Sequence, residues 1–333
     1  MNRCATWALL AAAGVLTAAY ASAAQTDASP AARSYPTKPI RAIVGFVPGG
    51  ATDIMARLLG QKLTEVFGQQ MIVDNRAGGG GVIAATMAKD APPDGYTIFF
   101  GTISTLATNV AISPQLPYDP LRDFAPITMT SYNPYFLVVH PSVAAKSVKE
   151  FIALARAKPG QLNYASSGTG GGAHLALELF RTMAKLEMVH IPYKGSAPSI
   201  TDLVGGQVQM TFSQPSVSLG HAKAGKLRIL GVTSLKRVAS WPEAPPIAEA
   251  AGLPGFEATS WQGVVAPART PAPIVTRLYD EIVKALNSPD IRAKLAAESS
   301  EPGGMPPAEF GRYVATEIAK WKRVVKEANI KLD

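Results

Sequence analysis

Twice in this chain an apolar run breaks at a glycine-rich turn and gives way to helical spacing. The first run covers 40–47, breaks at Pro48-Gly49-Gly50, and continues with Ile54, Leu58, Leu59 and Leu63 at helix intervals. The second is Tyr164-Ala165-Ser166-Ser167, followed by Gly168-Thr169-Gly170-Gly171-Gly172 and a helix that begins near His174. A strand, a glycine turn and a helix start aim unpaired backbone N–H groups and a positive dipole end at one point. Such a point receives anions, and glycine lets the backbone come close to them. One unit alone serves the fold as readily as a ligand. Two in one chain suggest two halves closing on a single ligand.

The 333 residues are too many for one comfortable core, so two domains are expected. Charged residues make up 17% and hydrophobic ones 47%, which fits a well-packed globule. Residues 1–23 read differently. Asn2-Arg3 is a short positive start, 5–19 is a small apolar core, and Ala21-Ser22-Ala23 offers a small-x-small cleavage site. This predicts a secretory signal cleaved after Ala23, with 24–35 a flexible lead. No later window approaches the roughly 20 apolar residues of a spanning helix. The one cysteine, Cys4, precedes the apolar core, so the mature chain is expected to hold no disulfide, thiolate metal site or cysteine nucleophile. Loss of Arg3 lowers the net charge from +8 to +7. The basic residues are scattered, with no run of five, which argues against nucleic acid and for anionic small molecules.

Taken in order, the residues predict strand 40–47, helix 51–67, strand 70–74, helix 82–90 and strand 96–100, an alternation that implies a parallel sheet with helices on both faces. The Pro-rich stretch 116–126 is expected to loop over the surface. A second alternation follows: strand 136–139, helix 147–158 capped by Ser147, strand 162–165, helix 173–185, strand 188–191, helix 197–204, strand 208–212, helix 216–223 and strand 227–232. A connector over 241–255 leads to strand 261–265 and helices 271–287, 288–298 and 307–327.

Several chemistries lack their parts. Gly168-Thr169-Gly170-Gly171-Gly172-Ala173 fits the dinucleotide fingerprint, but the next strand ends Ile191-Pro192-Tyr193-Lys194, without the acidic residue that holds a ribose. No Walker lysine follows a glycine loop, and G-x-S-x-G is absent. His140, His174, His190 and His221 show no zinc spacing. His174, at the first turn of the second helix, either bonds its loop locally or faces a ligand. Asp53 and Arg57 are four apart in the favourable order for a helix pair. Nothing assembles into a catalytic set, and no cofactor or metal is expected. Phe46, Tyr132, Tyr135, Tyr193, Phe212 and Trp261 fall at strand ends, and Phe46 sits at the carboxyl edge where α/β sheets bind ligands.

Phe46-Val-Pro-Gly-Gly-Ala-Thr-Asp53 resembles the first signature of the Bug family, the substrate receptors of tripartite tricarboxylate transporters. Asn75-Arg76-Ala77-Gly78-Gly79-Gly80-Gly81, Asp94-Gly95-Tyr96-Thr97, the stretch 164–180, the block from Ile191 to Pro198, Gly225-Lys-Leu-Arg228 and Trp261-Gln-Gly-Val-Val-Ala-Pro267 are similar to its further blocks, in order. The resemblance covers about 36–333. It implies a type II periplasmic-binding-protein fold: two α/β lobes with a ligand cleft between them and two crossings, near 125–137 and 256–264. Lobe 1 would comprise 36–131 and 258–333, and lobe 2 would comprise 132–257. It implies a ligand-binding set of Phe46, Gly49, Gly50, Ala51, Thr52, Asp53, Ser104, Tyr132, Ser166, Ser167, Gly168, Thr169, Gly172, Ala173, His174, Tyr193, Phe212 and Ser213, with the loops 46–53 and 166–174 sharing one ligand carboxylate. The partners would be the large and small membrane subunits of the transporter, and the receptor itself a monomer. Two features depart from the family pattern: Gly170-Gly171-Gly172, where bulkier or Pro-containing variants are common, and Ser213-Gln214, where an acidic residue is frequent.

Neither loop carries Lys or Arg. A compact tricarboxylate would be costly to desolvate there. With Phe46, Phe212 and Trp261 facing the cleft, a mono- or dicarboxylate with an apolar or aromatic body is expected ahead of citrate and amino acids. Reporting to a sensor kinase without transport, or enzymatic turnover on the same fold, are the competing functions.

Overall fold

The computed structural model describes residues 34–328 except 114, 170, 194–195 and 298–299. The expected signal segment 1–23 and most of the lead lie outside the described residues. Two sheets organise the described part of 36–333. The first takes strands β1 (Ile40–Val44), β2 (Met71–Asn75), β3 (Thr97–Thr102), β4 (Phe124–Pro134), β10 (Thr259–Pro267) and β11 (Glu301–Pro302). Their spatial order is β11-β4-β10-β3-β1-β2. The second takes β5 (Phe136–Val139), β6 (Asn163–Ser166), β7 (Val189–Pro192), β8 (Met210–Ser213) and β9 (Arg228–Val232), in the order β7-β6-β8-β5-β9.

Both sheets are mixed rather than wholly parallel. β1 runs parallel to β2 and β3, whereas β10 lies antiparallel to β3 and β4. In the second sheet β6 is parallel to β7 and β8, and β5 is antiparallel to β8 and β9. The antiparallel members include the strands on either side of the two passages between sheets. β1 and β3 are buried nearly throughout, as strands covered on both faces must be.

The helices follow their apolar stripes. α1 (Ala51–Phe67) buries Met55, Leu59 and Leu63 and stops at Gly68, whose φ of 64° sets a left-handed cap donating to the Thr64 carbonyl. α2 (Val82–Lys89) follows a tight glycine turn at Gly79–Gly81. A π-helical turn, Ser104–Thr108, runs into the short α3 (Asn109–Ile112), neither of which the Ser- and Thr-rich sequence announces. α4 (Val148–Ala157) is capped by Ser147, whose side chain accepts the Glu150 N–H. Then come α5 (Gly172–Ala184), α6 (Ser196–Val204), α7 (Pro215–Lys223), α8 (Ile247–Ala250), α9 (Ala272–Leu286), α10 (Pro289–Ala297) and α11 (Pro307–Glu327). α11 buries Phe310, Val314, Ile318 and Trp321 along one stripe. Its Glu317 is a buried acceptor for two indole N–H groups, from Trp261 at 3.1 Å and Trp321 at 3.0 Å, with Lys320 as counter-charge.

The 116–126 stretch is only partly a surface loop. Tyr118 and Phe124 are buried, and β4 begins at Phe124. One passage between sheets is the single residue Tyr135; the other covers 233–258, includes α8, and enters β10 through Ala258. Thr233, fully buried, joins them. Its hydroxyl accepts the Tyr135 N–H at 2.8 Å and donates to the Ala258 carbonyl, while its own N–H donates to the Tyr135 carbonyl at 2.9 Å.

Candidate functional site

The first glycine turn is locked by side chains behind it. Gly49 has φ +84°, a conformation that L side chains rarely adopt. Its N–H donates to Asp53 Oδ2 at 2.9 Å, and Arg57 Nε donates to the same oxygen at 3.0 Å. Arg57 also lies 3.0 Å from Asp53 Oδ1, an ionic contact whose angle falls short of a hydrogen bond. Asn75 accepts from Arg57 at 3.2 Å and donates to the Phe46 carbonyl at 3.0 Å. Burial alone would raise the pKa of Asp53, but the bonds from Arg57 and Gly49 outweigh it and hold the carboxyl below its ordinary value. The carboxylate of Asp53 therefore shapes the loop. What the turn offers a ligand is backbone: the first helical bond is Ile54 to Gly50, so the N–H groups of Ala51, Thr52 and Asp53 precede the helical ladder.

The second turn rests on an aromatic stack. His190 lies between His174, 4.0 Å away ring to ring, and Tyr164, 5.0 Å away. His190 Nε2 is 2.7 Å from Ser166 Oγ, which accepts the Gly168 N–H at 3.2 Å. The Tyr164 hydroxyl bonds Glu178, which pairs with Arg181 at 2.7 Å. Burial, and then the neighbouring His190, push the His174 pKa down to about 4. The His174 ring is buried and stacked on His190. The first helical bond of α5 is Leu175 to Gly171, so Gly172 and Ala173 present N–H groups ahead of the ladder. A Cβ at 172 would sit 2.7 Å from the Tyr135 hydroxyl, so any side chain there would displace that ring.

The two helix starts open onto adjoining cavities of about 210 Å³ each, which share Gln214 and Ser260. Ala51, Thr52, Ile54, Thr102, Asn133, Ser216, Trp261 and Gln262 line the first. Ser104, Tyr135, Ser167, Gly172, Ala173, Ser196, Ser199, Thr211, Phe212 and Ser213 line the second, with Ile103. Hydroxyl and amide groups dominate, and no charged side chain is among the lining residues of either.

Other residues of the expected set stand elsewhere. Phe46 packs its ring tip toward Gly81, and Gly49, Gly50 and Asp53 support the turn. Ser166, Gly168 and His174 lie behind the second turn, and Thr169 is exposed. Tyr193 donates to Asp202 at 2.6 Å, and burial followed by that carboxylate push its pKa up to about 12. Tyr132 lines a different cavity, of about 650 Å³, with Glu257 and Tyr313. The reason is strand alternation: Ser131 and Asn133 share one face of β4, and Tyr132 points to the other. The aromatic residues that line the cavities, Trp261, Tyr135 and Phe212, are also tied into the core. The Trp261 indole is held by Glu317 and packs edge-on against Phe310 and Tyr313, while Phe212, 2% exposed, packs with Phe180 and Phe256. Thr102, Asn133, Gln214, Ser260 and Gln262 line the cavities without belonging to the expected set. Only Gln214, standing where an acid is frequent, and the Trp261-Gln-Gly block carried a signal.

Residues 55–330 match the model of the tripartite tricarboxylate transporter family receptor. The chain belongs to this family. It is 38% identical over 327 residues to BugT of Bordetella pertussis, covering 97% of this chain and 98% of BugT. Among solved structures, Rpa4515 of R. palustris with adipate is 41% identical, covers 89% of this chain and 99% of its own, and superposes with a TM-score of 0.73. MatC of Rhodopseudomonas palustris, with bound malate, is 30% identical, covers 87% and 100%, and has a TM-score of 0.69. These matches agree with the two-lobed architecture. The protein is a periplasmic solute receptor of a tripartite tricarboxylate transport system.

Proposed function

We propose that the receptor captures a small organic carboxylate in the cleft between its sheets and delivers it to the large and small membrane subunits of the transporter. The observation that carries this reading is the pair of adjoining cavities, each entered by a helix start, with no charged side chain among their described lining residues. Backbone N–H groups of Ala51 and Thr52 on one side, and of Gly172 and Ala173 on the other, meet carboxylate oxygens, with Ser104, Ser167 and Ser213 supplying hydroxyls. Phe46, Gly49, Gly50 and Asp53 shape the first turn. Ser166, Gly168, Thr169, His174 and Tyr193 hold the second, with Phe212 as the apolar floor. The lobes are 36–131 with 258–333, and 132–257, moving about Tyr135 and Ala258, and residues 1–23 are the export signal. The adipate of Rpa4515 and the malate of MatC support an aliphatic ligand. The hydroxyl- and amide-rich lining supports a polar aliphatic acid over an aromatic one.

Isothermal titration with succinate, adipate, malate, citrate, glutamate and benzoate tests this. Saturable binding of an aliphatic carboxylate, accompanied by a smaller radius of gyration in solution scattering, is expected. Silence toward every aliphatic acid, or tight binding of benzoate alone, would refute it.

A further inference from the structure

The cavity of about 650 Å³ lies on the face of the first sheet turned away from the cleft. Tyr132 of β4 opens onto it, whereas the next residue, Asn133, lines the cleft. Thr259 and Ser260 of β10 divide in the same way. Glu301 of β11 and Tyr313 of α11 also line it, and the passage 233–258 adds 234–239 and Glu257. A space of this size holds a small organic ligand. The carboxylates of Glu257 and Glu301 have no hydrogen bond or ion pair among the described residues. Lys320, whose charge acts on Glu257, is bound to Glu317 and to the backbone carbonyl of Glu257, the latter at 3.1 Å. Burial, and then Glu317, raise the pKa of the Glu257 carboxyl against that pull. Tyr132 feels both acids: burial, then Glu301, then Glu257, raise the pKa of its phenol. Two basic residues border the cavity without pairing with these acids. Lys236 is exposed, and Arg237 Nη1 donates to the carbonyls of Pro242 and Glu243 at 2.9 and 3.1 Å. Carboxylates drawn partly out of water without a donor are costly, and a cation bearing N–H groups supplies what they lack.

We propose that this cavity is a second binding site, which takes an organic ammonium ion with an apolar body. The N–H groups of the ligand meet the carboxylates of Glu257 and Glu301 in charge-assisted hydrogen bonds. The rings of Tyr132 and Tyr313 receive the remaining positive charge on their faces. Met129 and Met305, which also line the cavity, give the apolar body adaptable thioether contacts. An inorganic cation fits less well. Among the described residues no group of three or more His, Cys, Asp or Glu side chains could hold a metal ion. An organic cation needs fewer oxygens, because aromatic and thioether surface takes up the rest of it. The site stands apart from the carboxylate reading of the cleft, since the first sheet separates the two cavities.

The test titrates the full mature chain with two amines and their neutral counterparts: phenethylamine with phenethyl alcohol, and hexylamine with hexanol. Wild type should bind each amine at least about tenfold tighter than the alcohol of the same shape. Glu257→Gln keeps the size of the side chain and removes its charge. It should weaken the amines about tenfold and leave the alcohols within about threefold. Glu301→Gln should act in the same direction, by about threefold or more. Glu257→Gln should leave the Tm of the ligand-free protein equal or higher, because a carboxylate without a donor is removed. A carboxylate that serves the fold would lower that Tm. In wild type, the methyl resonances of Met129 and Met305 should shift as phenethylamine binds, which locates the ligand without any substitution. Amines that bind no better than the alcohols, an undiminished amine affinity in Glu257→Gln, or Met129 and Met305 resonances that stay still at saturation would each overturn the site. None of these outcomes bears on carboxylate binding in the cleft, which the titrations under the proposed function decide separately.

Discussion

Replacing Ala51 by proline isolates a single backbone donor. Ala51 is the first residue of α1, where proline is well accommodated because the N–H it lacks has no partner in the helix. The ladder of α1 opens with Ile54 to Gly50 at 2.9 Å and stays intact. The preceding residue, Gly50, has φ −77° and ψ 165°, the extended conformation that a following proline requires. Ala51 is exposed and lines the first cavity, so its ring would meet the ligand and no core side chain. Folding stability should hardly change. Binding should change, because a hydrogen bond to a charged group contributes about 1.5–3 kcal/mol. Its loss corresponds to an affinity about 10- to 100-fold lower. Titration of a bound dicarboxylate, with a melting curve of each variant, measures both quantities. Ala51→Gly retains the N–H and should bind within about twofold of wild type. A proline variant with native Tm and undiminished affinity would show that the start of α1 is a structural turn.

Two further outcomes follow from groups around the cleft. Thr233→Val removes the hydroxyl that accepts the Tyr135 N–H and donates to the Ala258 carbonyl, leaving two buried groups unpaired. It should destabilise the ligand-free protein by about 2–4 kcal/mol in urea unfolding, and an unchanged midpoint would exclude that linkage. For the stacked histidines, His174 titrates near 4 in the folded protein because burial, and then His190, disfavour its charge, against about 6.5 when unfolded. Its contribution is therefore complete above about pH 6.5 and is lost as the pH falls toward 4, on the order of 3 kcal/mol in all. Tm should drop over that window more steeply in wild type than in His174→Asn, and parallel pH profiles would contradict the assignment.

Much of the fold was written in local sequence. The two glycine turns, the Ser147 cap, the stripe of α11 and the Asp53–Arg57 pair are set by residues within a few positions of one another, where propensity and backbone geometry decide. The receptor family was legible for the same reason, since its signatures are short blocks of such turns. The long strand β4, the π-helical turn at Ser104–Thr108 and the antiparallel return of β10 were not legible. Each owes its form to a partner more than a hundred residues away or to packing against α11, and Ser- and Thr-rich local sequence carries no trace of that. The lining of the cleft belongs to the same class. Which face of β4 carries Tyr132, whether the Trp261 indole meets a ligand or Glu317, and that Thr102 and Gln262 stand side by side are matters of register between strands. A shift of one residue would reverse each of them. The chain alone determined the two glycine turns and the cation-free helix starts that follow them. Only the tertiary structure decided which hydroxyl and amide side chains join Trp261, Tyr135 and Phe212 in lining the cavities, because strand register sets which face of each sheet a residue occupies.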